Sequence, residues 1–193
     1  MITAIILAAG ESKRMGQPKM LLPWDKETVL GRIISVIQSA GMEDILVVTG
    51  GGREQVEEIA KTHKMPTVFN SDFATGEMLS SLQCGLKALK PTIGAALICL
   101  GDQPQVEERS VRLIVEEYER TGAALIVPSY QMRRGHPWLL GRKWWNEVLA
   151  MSAPESPRDF LNRHALDIHY LNINSPSVLA DLDTLEDYLK AKP

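Results

Sequence analysis

The residues with the clearest potential for chemistry lie in a short basic segment after the first apolar run of the chain. Two glycines, Gly10 and Gly16, let the backbone turn and approach a ligand closely. A hydroxyl group and three cations accompany them, in the order Ser12, Lys13, Arg14 and Lys19. Because backbone N–H groups and clustered cations both stabilise dispersed negative charge, this basic loop (residues 10–19) predicts a polyphosphate-binding site.

The spacing of the basic loop differs from two common phosphate-binding motifs. In the P-loop, four residues separate the first glycine from a Gly-Lys-Ser/Thr sequence. Here five residues separate Gly10 from Gly16, and Lys19 comes three positions later. The dinucleotide fingerprint requires three close glycines, which the loop lacks. A solvated basic turn after a strand is the structural alternative.

A carboxylate at the end of a buried strand is the second candidate. Asp102 follows the strongly apolar run 95–100 and Gly101. A carboxylate that is shielded from water requires a cation, and proteins hold Mg²⁺ through one or two carboxylates together with substrate phosphates. Asp102 is therefore a predicted metal ligand, and the alternative is an aspartate that only opens a turn.

A pair of carboxylates near residue 180 would complete such a metal site. One residue separates Asp181 from Asp183, so an extended backbone directs both side chains to the same face. One of them, with Asp183 favoured, is predicted as the second metal ligand. The alternative is that Asp183 or Thr184 only caps the last helix, which is predicted over 185–190.

Two adjacent hydroxyl groups predict a contact with the base of a nucleotide. Ser80 and Ser81 fall in the first turn of a predicted helix that follows a loop hinged at Gly76. Hydroxyl groups at this place can meet the edge of a nucleobase, while the free N–H groups of the first turn face the ligand. Simple N-capping by one of the serines is the alternative.

A second basic segment follows the apolar run 123–127. Arg133, Arg134 and His136 surround Gly135 in a turn that the glycine and the following proline impose. Two arginines and a histidine suit a second, phosphorylated substrate, and a solvated basic turn is the alternative. The other three histidines show no metal-ligand spacing and are interpreted as surface or core residues.

Apolar strands and amphipathic helices alternate along the chain and must position these residues. After the first strand, strands are predicted at 45–49, 67–69, 95–100 and 123–127, the last ended by Pro128. Helices are predicted at 28–40, 53–64, 78–89 and from about 111 to 121. The pattern predicts an α/β fold of the three-layer α/β/α type, with a mostly parallel, Rossmann-like sheet. Ligands bind outside the carboxyl ends of such strands, where the basic loop and Asp102 are expected to meet.

Composition narrows the class of protein. At 193 residues, with 45% apolar residues, one domain spanning 1–193 is expected. The net charge of −3 argues against a nucleic-acid partner, and no apolar run approaches the length of a membrane span. The start, Met1–Ala4, lacks the basic segment of a signal peptide, so a cytoplasmic location is expected. Cys84 and Cys99 are interpreted as small core residues.

Together these segments resemble the MocA/MobA-like family of nucleotidyltransferases. The family's loop, Leu-Ala-Ala/Gly-Gly-x-Ser-x-Arg-Met-Gly-x-x-Lys, is matched without a gap by residues 7–19, and the segments 70–86, 101–104, 134–137 and 181–187 follow in the family's order. The resemblance implies the fold of nucleotide-diphospho-sugar transferases. It also implies Mg²⁺-dependent transfer of CMP from CTP to a molybdenum–molybdopterin phosphate, with release of pyrophosphate. The Leu-Ala-Ala-Gly form of the loop resembles the cytidine-using branch.

The resemblance also assigns roles to the matching positions. Nucleotide-binding residues would be Leu7, Ala8, Ala9, Gly10, Ser12, Arg14, Lys19, Gly76, Ser80, Ser81 and Gly101. Catalytic residues would be Arg14, Lys19 and Asp102, and acceptor-binding residues would be Arg134, Gly135 and His136. The metal ligands would be Asp102 and either Asp183 or Asp181. A molybdenum hydroxylase that receives the cofactor is an implied partner.

One segment departs from the family pattern and leaves the acceptor open. Relatives often carry a Gly-Asp-x-Gly-Ala-Arg-like loop before the last strand, whereas this chain has Ala-Pro-Glu-Ser-Pro-Arg-Asp at 153–159, in which only Arg158 corresponds. Other hypotheses are a nucleotidyltransferase that uses GTP or a sugar- or polyol-phosphate acceptor, and a non-catalytic carrier of the molybdenum cofactor. The presence of Lys19 and Asp102 favours a catalytic role over a carrier.

Overall fold

Strands and helices alternate through most of the chain in a computed structural model that describes residues 1–11 and 18–193. Within these ranges the strands are β1 (Ile2–Ala8), β2 (Pro23–Trp24), β3 (Glu27–Thr28), β4 (Ile45–Thr49), β5 (Thr67–Phe69), β6 (Ala95–Leu100), β7 (Leu125–Tyr130), β8 (Arg133–Arg134), β9 (Trp138–Gly141) and β10 (His169–Asn172). The helices are α1 (Val29–Ser39), α2 (Arg53–Thr62), α3 (Glu77–Ala88), α4 (Glu108–Thr121), α5 (Trp145–Ala150), α6 (Pro157–Arg163) and α7 (Leu185–Ala191). Short 3₁₀ turns occur at Lys19–Leu21, Arg142–Trp144 and Pro176–Leu179.

The central sheet is mostly parallel, which confirms the predicted fold class. Its strands lie in the order β10-β7-β9-β6-β1-β4-β5, with β8 added to β7. β1 pairs in parallel with both β4 and β6, and two further pairs, β4–β5 and β7–β10, are also parallel. The antiparallel strands are β9, which lies between β6 and β7, and the short β8, which pairs with β7.

Helices cover both faces of the sheet because successive side chains of a strand point in opposite directions. Ile6 packs on one face with apolar side chains of α1, α2 and α4, and Ile5 packs on the other with those of α3, α5 and α6. Both isoleucines are fully buried. Burial of one such side chain stabilises the fold by about 1.5–3 kcal/mol, so this alternation fixes the three-layer arrangement.

Two helix ends lie where single residues predicted them, the start of α1 at Thr28 and the end of α4 at Gly122. The Thr28 hydroxyl accepts a hydrogen bond from the N–H of Gly31 at 3.0 Å and so caps α1. Gly122 closes α4 in the left-handed conformation, with φ of 68°, which glycine adopts without steric cost. The predicted boundaries at these two positions are confirmed.

The prediction that Pro128 ends its strand was wrong, since β7 runs from Leu125 to Tyr130. Proline cannot donate a backbone hydrogen bond, and this matters only where a neighbouring strand requires the donor. The pairing of β7 with β9 involves Leu125 and Ile126 only. At Pro128 the carbonyl is used instead, since it accepts a hydrogen bond from the N–H of Gly135 at 2.8 Å.

A small third apolar cluster attaches α7 to the segment that follows Lys19. Leu182 and Tyr188 pack with Trp24 and neighbouring apolar side chains, and Leu182 is fully buried. The Tyr188 hydroxyl donates a hydrogen bond to the carbonyl of Pro23 at 2.6 Å. Residues near 20 and near 185 are therefore fixed to each other.

The two cysteines lie in different environments. Cys99 is 3% exposed and lies in the core, whereas Cys84 is only partly buried at the core's edge. Across the described ranges, every helix is too short or too polar to cross a membrane.

Candidate active site

Three parallel strands end side by side and bring their following segments to one place. Leu7 of β1 aligns with Val48 of β4 and Leu100 of β6. The segments beyond these ends border a cavity of about 310 Å³, the first cavity. Its walls include seven of the residues singled out from the sequence: Leu7, Ala9, Gly10, Ser81, Asp102, Asp181 and Asp183.

Lys19 joins two of the predicted carboxylates at this cavity. Its ammonium lies 3.2 Å from Oδ2 of Asp102 and 3.3 Å from Oδ1 of Asp183. Only 12% of the Lys19 side chain is exposed, so these ion pairs are less screened by water than surface pairs are. Residues that are 83 and 164 positions from Lys19 thus meet at one cation.

Asp181 lines the same cavity but has a different partner. Its Oδ1 accepts a hydrogen bond from Nε2 of Gln103 at 2.5 Å, and the Gln103 side chain is buried. The enclosed position of the carboxyl raises its pKa, although the Gln103 hydrogen bond acts in the opposite direction. Asp181 and Asp183 therefore face one cavity, as the extended-backbone argument predicted, yet only Asp183 contacts Lys19.

Thr184, and not Asp183, caps the last helix. The Thr184 hydroxyl accepts a hydrogen bond from the N–H of Asp187 at 3.1 Å, and the Asp187 carboxylate accepts in return from the N–H of Thr184 at 2.9 Å. This is a reciprocal capping box. Capping therefore leaves the carboxylate of Asp183 available to the cavity.

Ser81 is held by a residue that the sequence argument did not single out. Nδ2 of Asn70 donates to the hydroxyl oxygens of Ser80 at 2.8 Å and Ser81 at 3.1 Å, and Asn70 is 3% exposed. Neither serine caps α3, whose N-cap is Gly76. The N-capping alternative is therefore wrong, and Asn70 fixes the hydroxyl oxygen of Ser81 at the cavity wall.

The remaining nucleotide-binding candidates lie in several places. Ala8 is fully buried in the core, and Gly76, Ser80 and Gly101 are outside the lining of the first cavity. A Cβ added at Gly101 would come within 3.0 Å of the Met20 sulfur, so this glycine permits close packing of Met20. Ser12 and Arg14 lie outside the described residues.

Five residues of the first cavity were not predicted as site residues: Met20, Phe73, Glu77, Met78 and Leu100. Glu77 adopts a positive φ of 48° at the start of α3. Such a conformation is uncommon for a residue other than glycine and is concentrated at functional sites. A backbone conformation of this kind leaves no signal in the sequence.

A second cavity of about 620 Å³ adjoins the first and shares Met78 with it. Arginines line it from two parts of the chain, because Arg133 and Arg134 belong to β8 and Arg158 to α6. The predicted acceptor residues Arg134, Gly135 and His136 all line this second cavity. The structure thus brings the second basic segment next to the first cavity, and Met78 lines both cavities.

The Arg134 guanidinium is held in place by two side chains. Its Nε donates to the Tyr170 hydroxyl at 2.9 Å and its Nη1 donates to Oδ1 of Asn162 at 2.7 Å. Tyr170 belongs to β10 and Asn162 to α6. A guanidinium with its orientation fixed in this way is suited to bind an oxyanion of defined geometry.

His136 lines the second cavity as a neutral side chain. Burial lowers its pKa to about 4, so the imidazole carries no charge near pH 7. Its backbone N–H donates to the carbonyl of Val178 at 2.9 Å, and a Cβ on Gly135 would lie 2.4 Å from the same carbonyl oxygen. His136 is therefore a hydrogen-bonding group of the cavity, while the arginines supply its positive charge.

A histidine–carboxylate cluster joins α5 to α6 behind the second cavity. Nε2 of His164 lies 2.8 Å from Oε1 of Glu147, and Nδ1 lies 3.2 Å from Oδ2 of Asp167. The imidazole also contacts the rings of Trp144 and Phe160, with centroid distances of 4.3 and 4.9 Å. The hydrogen bond with Glu147 is the main cause that raises the pKa of His164.

This cluster predicts a pH-dependent stability. Because the pKa of His164 is higher in the folded state, its contribution is complete below the unfolded value near 6.5 and is lost as the pH rises through the folded value. We expect His164→Gln to lower the free energy of unfolding by about 1 kcal/mol more at pH 6 than at pH 9. Urea unfolding at both pH values measures this difference.

The matched control for His164→Gln is Glu155→Gln. Glu155 pairs with Arg163, the last residue of α6, and arginine does not titrate in this range. The cost of Glu155→Gln should therefore be equal at pH 6 and pH 9. If His164→Gln lowered the free energy of unfolding equally at both pH values, the carboxylate partners would not be stabilising the protonated imidazole.

Comparison with known proteins assigns the chain to a family. The model of the MobA-like NTP transferase domain matches residues 4–168. The chain belongs to the MobA-like NTP transferase family. It is accordingly a nucleotidyltransferase, as the resemblance of its sequence segments to this family implied.

Two relatives of this MobA-like chain match nearly its whole length. The molybdenum cofactor cytidylyltransferase of Escherichia coli (strain K12) is 29% identical over 194 residues, covering 99% of this chain and 95% of that protein. Nicotine blue oxidoreductase of Paenarthrobacter nicotinovorans is 28% identical, covering 96% of this chain and 93% of that protein. Two relatives of nearly equal similarity are thus named for different reactions. Similarity alone therefore does not identify the acceptor, which depends on the residues of this chain.

Two solved structures match the fold over nearly the whole chain. Rv0371c from Mycobacterium tuberculosis H37Rv is 28% identical with a TM-score of 0.85, and the match covers 98% of this chain and 96% of that one. A complex of Rv0371c with manganese has a TM-score of 0.81 at 26% identity, with the same coverage. This similarity agrees with the mostly parallel sheet and its two helical layers.

Proposed function

We propose that the chain transfers CMP from CTP to the phosphate of a molybdopterin-type acceptor that carries molybdenum, with release of pyrophosphate. The supporting observation is the contact of Lys19 with Asp102 and Asp183 at the first cavity, directly beside a second cavity lined by three arginines. A nucleotide and an anionic acceptor require two such sites with a common boundary, because the reacting groups have to meet. Met78 forms that boundary.

The carboxylates of Asp102 and Asp183 fit a divalent cation. Both already share one cationic partner, the Lys19 ammonium, so their oxygens converge on one region. Carboxylate oxygens suit Mg²⁺, which is usually bound by one or two carboxylates together with substrate phosphates. Within residues 1–11 and 18–193 no cluster of three or more His, Cys, Asp or Glu side chains is placed to hold a metal, so the phosphates of the nucleotide would have to supply further ligands. We assign Asp102 and Asp183 as the Mg²⁺ ligands, and not Asp181.

The reaction needs no nucleophile from the protein. An oxygen of the acceptor phosphate attacks the α-phosphorus of CTP, a new P–O bond forms, and the bond to the β-phosphate oxygen breaks as pyrophosphate leaves with its electron pair. When bound, Mg²⁺ would supply neutralisation of phosphate charge as a Lewis acid. Lys19 supplies a second positive charge, and the arginines of the second cavity hold the acceptor in line.

The geometry around Ser81 favours a pyrimidine with acceptor atoms on its edge. The Ser81 oxygen accepts a hydrogen bond from Asn70 at 3.1 Å, and its hydroxyl donates to the carbonyl of Glu77 at 3.5 Å. That second bond is long and therefore weak, so a base that enters the cavity can replace the carbonyl as the acceptor. Cytosine offers acceptors at N3 and O2, whereas uracil carries a hydrogen at N3. Donation to N3 would favour CTP over UTP, whereas donation to O2 would not distinguish them, so the choice of CTP rests mainly on the cytidylyltransferase among the relatives.

The charge of the second cavity supports a phosphorylated acceptor. Arg133, Arg134 and Arg158 line it, and the neutral His136 can hydrogen-bond to an uncharged polar part of the same molecule. The product would then pass to an enzyme that uses the dinucleotide form of the cofactor, such as a molybdenum hydroxylase.

The test measures pyrophosphate release with CTP, GTP, ATP or UTP, Mg²⁺ and a panel of acceptors. We expect release only with CTP and the molybdenum–molybdopterin phosphate. Release with GTP, or with a sugar or polyol phosphate, would replace this assignment by another nucleotidyl transfer. Binding of the cofactor without pyrophosphate from any combination would favour a carrier.

Arg134 provides a test of the acceptor site. We expect Arg134→Met to raise KM for the acceptor about tenfold or more, since a charge-assisted hydrogen bond is lost, while KM for CTP changes little. The control is Arg120→Met, which removes the same charge from an exposed position on α4. Steady-state kinetics with each substrate varied in turn measure both constants, and an equal rise in the two KM values would contradict the assignment.

A further inference from the structure

Lys19 takes up oxygens that the proposed metal site would need. Its ammonium contacts one oxygen of Asp102 at 3.2 Å and one of Asp183 at 3.3 Å. A divalent cation held by the same two carboxylates would lie next to this ammonium, and the repulsion between them would be large because the lysine side chain is 88% shielded, with 12% exposed. The ammonium and the cation are therefore alternatives for these carboxylates.

We propose that the ammonium of Lys19 competes with the divalent cation for the carboxylates of Asp102 and Asp183. The cation therefore binds tightly only together with a nucleotide, because the phosphates of the nucleotide then pair with the ammonium in place of the carboxylates. This inference rests on the proposed function, since it assumes that the carboxylates hold a metal and the first cavity a nucleotide. It adds that the two ligands are coupled, and that the side chain of one residue is the cause of the coupling.

The backbone around Lys19 limits the exchange to its side chain. Residues 19–21 form a 3₁₀ turn in which the N–H of Leu21 donates to the carbonyl of Pro18 and that of Leu22 to the carbonyl of Lys19, both at 3.1 Å. Met20 is 5% exposed and anchors the turn at the cavity wall. The turn is fixed, whereas the four-carbon stem of lysine can rotate its ammonium from one anion to another.

Charge explains why the nucleotide is required. With the ammonium in place the carboxylates of Asp102 and Asp183 are already partly neutralised, which weakens their attraction for a further cation. A triphosphate brings several negative charges that can pair with the ammonium and at the same time ligate the cation. Coupling of this kind is reciprocal, so the cation must raise the affinity for the nucleotide by the same factor.

The test compares Mn²⁺ binding to the wild-type chain, Lys19→Met and Lys90→Met, each with and without CTP and with no acceptor present. Lys90 is the matched control because it is exposed and precedes the amino end of β6, whereas Asp102 follows the carboxyl end of the same strand. The free Mn²⁺ signal in electron paramagnetic resonance gives the dissociation constant after subtraction of the Mn²⁺ that CTP binds in a matched titration without protein. Circular dichroism verifies that each variant is folded, and Lys19→Gln serves as a second variant should Lys19→Met not fold.

Without CTP, we expect Lys19→Met to bind Mn²⁺ about tenfold more tightly than the wild-type chain, because a nearby positive charge is removed. Lys90→Met should equal the wild type. CTP should tighten Mn²⁺ binding to the wild type about tenfold or more, and it should do so less in Lys19→Met. Lys19→Met would thus bind Mn²⁺ better than the wild-type chain although it lacks a cation of the active site.

Other outcomes separate this inference from the proposed function. If the wild type binds Mn²⁺ with CTP but Lys19→Met and Lys19→Gln bind it no more tightly than the wild type, the competition is refuted and the metal site stands. If CTP leaves the Mn²⁺ affinity of the wild type unchanged, the coupling is likewise refuted. If none of the proteins binds Mn²⁺ in either condition, the competition and the assignment of Asp102 and Asp183 as ligands fall together.

Discussion

Asp102→Asn is expected to lower kcat for nucleotidyl transfer about 10²–10³-fold, the scale of losing a principal electrostatic stabiliser of a transition state. The substitution keeps the shape of the side chain and removes its charge. The carboxylate lies at the end of β6, beside Lys19, and its proposed task is to hold the cation that neutralises the phosphates. Single-turnover measurement of CMP transfer reports the chemical step directly.

The control for Asp102→Asn is Asp44→Asn, which lies at the amino ends of the parallel strands, away from the cavity. Asp44 accepts a hydrogen bond from Thr3 at 2.6 Å and precedes β4, so the same chemical change there leaves the cavity untouched. Its kcat should equal that of the wild type. Near wild-type transfer by Asp102→Asn at saturating Mg²⁺ would remove Asp102 from the metal site and from catalysis.

The second large effect distinguishes the two carboxylates near residue 180. We expect Asp183→Asn to weaken the apparent Mg²⁺ affinity about 10²-fold, because it would remove a direct ligand, while Asp181→Asn should cost no more than about tenfold. The reason is the partner of each group, since Asp183 contacts Lys19 and Asp181 accepts a hydrogen bond from Gln103. Initial rates measured over a series of Mg²⁺ concentrations give the apparent affinity of each variant.

These two variants control for each other, because each removes one negative charge from the same cavity. A general loss of negative potential would reduce both affinities equally. The reverse order, with Asp181→Asn the weaker binder, would identify Asp181 as the ligand and give Asp183 only an ion-pairing role.

Much of the fold followed from local patterns in the sequence. The run 95–100 is a buried strand because it is apolar throughout, and the helix after it ends at Gly122, where a left-handed residue is needed. Ligands bind outside the carboxyl ends of parallel strands, which led to the expectation that Lys19 and Asp102 lie together. The structure places their charged groups 3.2 Å apart. Such signals are local or topological, so one sequence suffices to show them.

Contacts between distant segments could not be predicted in the same way. The choice between Asp181 and Asp183 depends on Gln103, which is 78 positions from Asp181. The partner of His164 is Glu147, 17 positions away on another helix. Neither pair has a spacing that distinguishes it from chance, so only the folded chain brings these partners to light.

Among the elements that were not predicted, α6 had a recognisable sign in the sequence. Ser156, Pro157 and Asp159 have the pattern of a capping box with proline in the first turn, and they begin α6. The segment 153–159 was instead compared with a loop of the family pattern. Recognition of this pattern would have placed Arg158 on a helix, and therefore in a fixed position facing the second cavity.

The relatives show why the site has to be argued separately from the fold. A cytidylyltransferase and an oxidoreductase are similar to this chain at 29% and 28% identity over almost the same length. A shared architecture permits different chemistry, so the acceptor depends on residues such as Arg134 and His136 and on the assays that probe them.

The attachment of α7 sets a limit on the temperature at which the chain can work. Asp183 lies between Leu182 and a helix of seven residues that is held to the remainder of the molecule by the small cluster around Trp24 and Tyr188. Peripheral elements of this size open at a lower cost than a central sheet does. On warming, activity should therefore disappear while the sheet is still intact, so the upper working temperature would be fixed by the last helix and not by the core.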